Sequence, residues 1–83
     1  MQDNEVVGYI KRAFELKSQE CYKQAIEMLY KALETEFDNI EILYQIGDMY
    51  VLLHNYDRAV QNLKKVLQID ANHVPSLNLL SKI

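Results

Sequence analysis

Leu43-Tyr44-Gln45-Ile46-Gly47-Asp48-Met49-Tyr50, continued by Tyr56, Ala59, Leu63 and Val66, is the stretch whose reading decides the fold. Leu43, Ile46, Gly47 and Tyr50 recur at steps of three and four residues, as do Ala59, Leu63 and Val66. One face of an α-helix requires that spacing. Gly47 and Ala59 are small where two helices of a hairpin approach closely and a larger side chain would hold them apart.

The same pattern occurs twice. A shift of 34 residues, the step from Tyr22 to Tyr56, places Ala25 on Ala59, Leu29 on Leu63, Lys31 on Lys65 and Leu33 on Leu67 without a gap. The periodicity predicts five helices, roughly Asn4 to Ser18, Tyr22 to Glu36, Ile40 to Leu53, Asp57 to Ile69 and Val74 to Lys82. Asp38-Asn39, Asn55 and Asn72 stand before helices, where a short side-chain acceptor satisfies free backbone N–H groups. Pro75 falls in a first turn, where its missing N–H costs little. Connections of about three residues force neighbouring helices antiparallel, so the chain reads as all-α and built of stacked hairpins.

Composition narrows the function. Eighty-three residues with 49% hydrophobic content and 25% charge describe one globular domain with a modest core. A net charge of -3 argues against general binding to nucleic acid, which needs clustered Lys and Arg. Lys11-Arg12 and Lys64-Lys65 are short runs of the kind found on solvated helix faces. Cys21 is the single cysteine, which fits a reducing compartment. No apolar run approaches a membrane span, and the start Met1-Gln2-Asp3-Asn4-Glu5 is acidic where a signal peptide is basic. The expected location is cytoplasmic, with no membrane partner.

The second unit resembles the tetratricopeptide repeat, whose signature asks for Trp, Leu, Gly and Tyr on the first helix, then Ala, an aromatic and a closing Pro. Leu43 stands for the Trp and Ile46 for the Leu. Gly47, Tyr50 and Ala59 match outright, Leu63 replaces the aromatic and Ala71 the Pro. The first unit fits less closely through Tyr9, Arg12, Ala13, Leu16, Tyr22, Ala25, Leu29 and Ala32, with Phe37 at the Pro position. The resemblance implies a right-handed α-solenoid with repeats over 6–39 and 40–73 and the first helix of a partial third over 74–83.

Family stacking gives the two ends different expectations. The side of a first helix that meets a preceding repeat carries Ile42, Met49 and Leu53 in the second unit but Gly8, Glu15 and Gln19 in the first. That switch to polar residues predicts an N-terminal end. Leu77 and Leu80 point toward the second helix of a third repeat. Three readings answer this: a piece of a longer protein, self-association through the C-terminal helix, or leucines folded back on Val60 and Leu67.

Arrays of this family bind peptide or helical segments of other proteins on the surface lined by their first helices. The resemblance places Val7, Ile10, Lys11, Phe14 and Lys17 of the first helix there, with Tyr44, Gln45, Asp48 and Val51 of the third. Pro75, Asn78 and Lys82 extend it. Since Tyr9, Ala13 and Leu16 already supply an inward stripe, the second apolar stripe of Val7, Ile10 and Phe14 predicts either a partner groove anchored by Phe14 and Tyr44 or a face covered by the chain or a twin subunit. The Lys, Asn and Arg clamp that grips chaperone tails is absent, since Ile10, Phe14, Gln45, Pro75 and Leu79 occupy its places.

Catalysis and metal binding find little support. Asp70-Ala71-Asn72-His73 offers two ligands without a second pair, and His54 stands alone near a turn, where it is expected to face water. Cys21 has no activating neighbour in sequence. Ser18, Ser76 and Ser81 lack a nucleophile-elbow context, and two glycines make no phosphate-cradling loop. Glu41 and Asp48 share a helix face as surface carboxylates. The expectation is a protein-binding scaffold or adaptor, neither an enzyme nor a cofactor protein.

Overall fold

In the computed structural model Ile40–Leu52 is a helix, α3, because Asn39 starts it and apolar residues fill its inward face. The Asn39 carboxamide oxygen accepts the backbone N–H groups of Glu41 (3.0 Å) and Ile42 (3.2 Å). Ile42, Leu43, Ile46, Gly47, Met49 and Tyr50 are then buried. The structure describes residues 2–83, with side chains from residue 5 onward. Met1, first residue of the acidic start, lies outside the described residues.

The other helices are α1 (Gln2–Ser18), α2 (Tyr22–Thr35), α4 (Tyr56–Ile69) and α5 (Val74–Lys82), and no strand occurs among the described residues. Consecutive helices pack together along the chain. The result is two helical hairpins followed by one helix. The molecule measures 36 × 27 × 17 Å, and its smallest dimension matches two helix layers packed about 8–10 Å apart.

Small residues set the spacing inside the hairpins. A Cβ built on Gly47 would stand 3.0 Å from the Leu63 side chain and 3.5 Å from the Ala59 carbonyl oxygen. Ala13 and Ala25 hold the same places in the first hairpin and are fully buried. Leu16, Ile26, Leu29, Ile42, Ile46, Met49 and Ala59 complete a continuous core with them. Val6 also joins that core, although the inward stripe read from Tyr9, Ala13 and Leu16 did not include it. Gly8, Glu15 and Gln19 are exposed on α1, and a Cβ on Gly8 would meet nothing within 4 Å.

Two kinds of turn alternate. Within each hairpin the first helix ends in a left-handed residue, Glu20 at φ 62° and His54 at φ 61°. The Cys21 N–H donates to the Leu16 carbonyl (2.8 Å) and the Glu20 N–H to the Lys17 carbonyl (2.9 Å). Asn55 donates likewise to Tyr50 (2.8 Å) and His54 to Val51 (2.9 Å). This is the Schellman arrangement at both sites, with Glu and His where glycine is usual. Between hairpins, Asn39 and His73 are the helix-starting caps, again in register.

Two expectations are corrected here. α5 is capped by His73, not Asn72: the His73 Nδ1 accepts the Ser76 N–H (3.3 Å), while the Asn72 N–H turns back to the Asp70 carboxylate (3.1 Å). α4 begins at Tyr56, one residue before Asp57, because Asn55 itself caps by accepting the Arg58 N–H (3.4 Å).

Candidate functional site

α1 and α3 are linked by side-chain contacts, and the residues expected to bind a partner, all on these two helices except Asn78 of α5, fall into three groups. The first is polar and mutually engaged. The Lys17 ammonium donates to the Asp48 carboxylate (3.1 Å) and to the Gln45 carboxamide oxygen (3.3 Å). Both charged side chains are part-buried, so the pair contributes about 1 kcal/mol at most. Its larger effect is to tie the first helices of the two hairpins and fix the shape of the surface between them.

The second group is apolar. Ile10, Phe14 and Gln45 line a small depression of about 120 Å³ with Leu29, Asn39, Glu41 and Ile42. Phe14 is 45% exposed and Val7 47%, beside the half-buried Ile10. Asn39 was read from sequence only as a cap and Glu41 only as a surface carboxylate. The depression places both at the groove, where Asn39 also donates from Nδ2 to the Glu36 carboxylate (2.7 Å).

The third group is not gathered into the depression. Tyr44 is half-buried and meets the His73 ring edge-on at 5.4 Å. Burial raises the Tyr44 hydroxyl above its ordinary value of 10.0, helped by the carboxylates of Asp48 and Glu41. It therefore remains a hydrogen-bond donor at neutral pH. Val51 packs partly against the core. Lys11 and Asn78 are exposed, and the Asn78 carbonyl accepts the Ser81 hydroxyl (2.6 Å).

With these positions in place, the chain can be compared with known families. A family model described as tetratricopeptide repeat matches residues 16–83. The chain belongs to the tetratricopeptide repeat family. The match begins in the last turn of α1. Arg12 stands where the family has Leu, and it is exposed and paired with Glu15 at 3.5 Å. The tetratricopeptide repeats of the second unit are buried as their roles require, at Leu43, Ile46, Gly47, Tyr50, Ala59, Leu63 and Val66. Such repeats are in general non-catalytic scaffolds that mediate protein–protein interaction.

One pair has the look of a nucleophile and base. The Ser76 hydroxyl lies 2.8 Å from the His73 Nδ1. Ser76 is fully buried and the same nitrogen caps α5, so the pair closes a helix start out of reach of any substrate. Among the described residues no three His, Cys, Asp or Glu side chains converge as a metal site. His54, expected to face water, is exposed and bonds the Tyr56 hydroxyl through Nδ1 (2.8 Å). Among the described residues no helix is long and apolar enough to cross a membrane.

Proposed function

We propose that this tetratricopeptide domain holds a peptide or helical segment of another protein on the face formed by α1 and α3, as an adaptor or scaffold. The observation that carries this reading is the exposure of Phe14 and Val7 beside the depression at Ile10, on a face where Lys17 and Asp48 already engage one another. Lys17, Gln45 and Asp48 serve as a fixed polar frame. Affinity then comes from apolar contact, with Phe14 entering the partner's surface and Val7 and Ile10 excluding water around it. Lys11, Tyr44, Val51 and Asn78 border the contact.

Selection of peptides from a random library against the full chain tests this. Selected peptides are expected to be rich in aliphatic and aromatic residues, and to lose binding by about tenfold or more on Phe14→Asp with helicity unchanged. Binding that survives Phe14→Asp and Ile10→Asp would exclude this face.

A second reading has its own observation. Leu77 is 45% exposed on α5 and Leu80 is half-buried beside it. These residues would form a self-association edge, making the partner another copy of the chain. Light scattering across a concentration series separates the two: a dimer abolished by Leu77→Asp supports the edge, and a monomer throughout eliminates it.

A further inference from the structure

A second depression, of about 490 Å³, opens between α2 and the α3–α4 turn with Arg58 at the start of α4, and shares no residue with the one at Phe14. Its floor is apolar: Ile26 and Tyr50 are buried and Leu53 is half-buried. Its rim carries Lys23 from α2 and Arg58 from α4. The ion pairs among the described residues are Arg12 with Glu15 and Lys17 with Asp48, so both rim cations lack a carboxylate partner there. Glu27 is the one acidic residue of the lining. The trough thus carries formal charge +1 on a chain whose net charge is -3.

The Tyr30 hydroxyl also belongs to the trough, 3.4 Å from that of Tyr50. Burial first, then the Tyr50 hydroxyl, raise its pKa above 10.0, while Asn62 and the Arg58 charge partly oppose the rise. Tyr30 is protonated at neutral pH, as any tyrosine is, and lines the same trough as the Arg58 guanidinium. A hydroxyl donor and an arginine over an aliphatic floor make a site for a carboxylate attached to an apolar group.

We propose that the trough between α2 and α4 is a second protein-docking site, taking a partner segment in which one Asp or Glu side chain is flanked by aliphatic residues. The carboxylate accepts from Arg58 and Tyr30, with Lys23 adding charge from the same helix as Tyr30, and an aliphatic neighbour covers Ile26 and Leu53. Glu27 repels a second carboxylate, so a single acidic residue is preferred to an acidic run. This site is independent of the α1–α3 face.

The test is an amide-resolved NMR titration of the full chain with a blocked Leu-Glu-Leu-Leu peptide and its Gln counterpart. The Glu peptide should shift the amides of Ile26, Tyr30, Leu53 and Arg58 saturably. Its affinity should fall about tenfold with the Gln peptide or with Arg58→Gln, a change at an exposed position. It should also weaken as ionic strength rises through about 0.1 M. Phe14→Asp should leave the titration unchanged, which separates this site from the α1–α3 face. Equal affinity for the two peptides, or shifts confined to Phe14 and Tyr44, would overturn the proposal. So would shifts of the trough amides with protein concentration alone, which would make a second copy the occupant.

Discussion

At the residue scale the two glycines have opposite reasons to be there. Gly47 stands against Leu63, which is fully buried and has no room to yield. Gly47→Ala should therefore destabilise by about 1 kcal/mol, because overpacking outweighs alanine's roughly 1 kcal/mol advantage in a helix. Gly8 faces open space, so Gly8→Ala should stabilise by about 0.5–1 kcal/mol. Urea titration of the pair reads both signs. The close approach at Gly47 was legible in the sequence because its period places Gly47 opposite Ala59, while the contact with Leu63 comes from the fold. The Lys17, Gln45 and Asp48 cluster was not, since a binding-face assignment lists residues without saying which satisfy one another across 28 and 31 positions.

The tyrosines give a second prediction at this scale. Tyr30 and Tyr44 both have pKa values raised above 10.0, first by burial. Below pH 10 both are neutral in the folded and unfolded chains, and their contribution to stability is complete. As pH rises from about 10 toward the raised values, the unfolded chain loses these protons first and stability falls. The urea midpoint should drop over that alkaline window, and Tyr44→Phe with Tyr30→Phe should flatten the drop. An equal drop in the double variant would show that other groups cause it.

Helix ends decide the element scale. Four of the five helix starts and both turn classes follow the 34-residue period, and the predicted boundaries lie within about one residue of the observed ones, or two at the start of α1. Asn39 and Asn55 were legible because a short acceptor before an apolar periodic run is a cap signal. His73 was hidden because imidazole is an uncommon cap and Asn72 stood beside it. Glu20 and His54 were hidden for a related reason: neither side chain advertises a left-handed backbone, and only the turn's hydrogen bonds demand it. Holding Glu there carries strain that glycine lacks, so Glu20→Gly should stabilise by about 0.5–1 kcal/mol in thermal unfolding. Asn39→Ala should destabilise by about 1 kcal/mol through two unpaired N–H groups.

For the whole molecule, the hairpins fix one layer of first helices and place Phe14 outward from it. The apolar pattern of α1 was enough to single out Val7, Ile10 and Phe14 in the sequence, because two stripes on one helix exceed what one core face uses. The trough between α2 and α4 was not visible, since Lys23 and Tyr30 of α2 meet Arg58 of α4 only in the fold and share no motif with it. Phe37 supplies a control for the central reading: it is 75% exposed, yet it lines, with Leu33, Leu43 and Lys65, a depression that shares no residue with the one at Phe14. Site-specific photo-crosslinking in host cells, with p-benzoylphenylalanine in place of Phe14 or of Phe37, therefore tests that reading most directly. A partner held on the α1–α3 face gives a discrete adduct with another polypeptide from position 14 and none from position 37. Adducts of equal yield from both positions, or only crosslinks between copies of the chain, would contradict it.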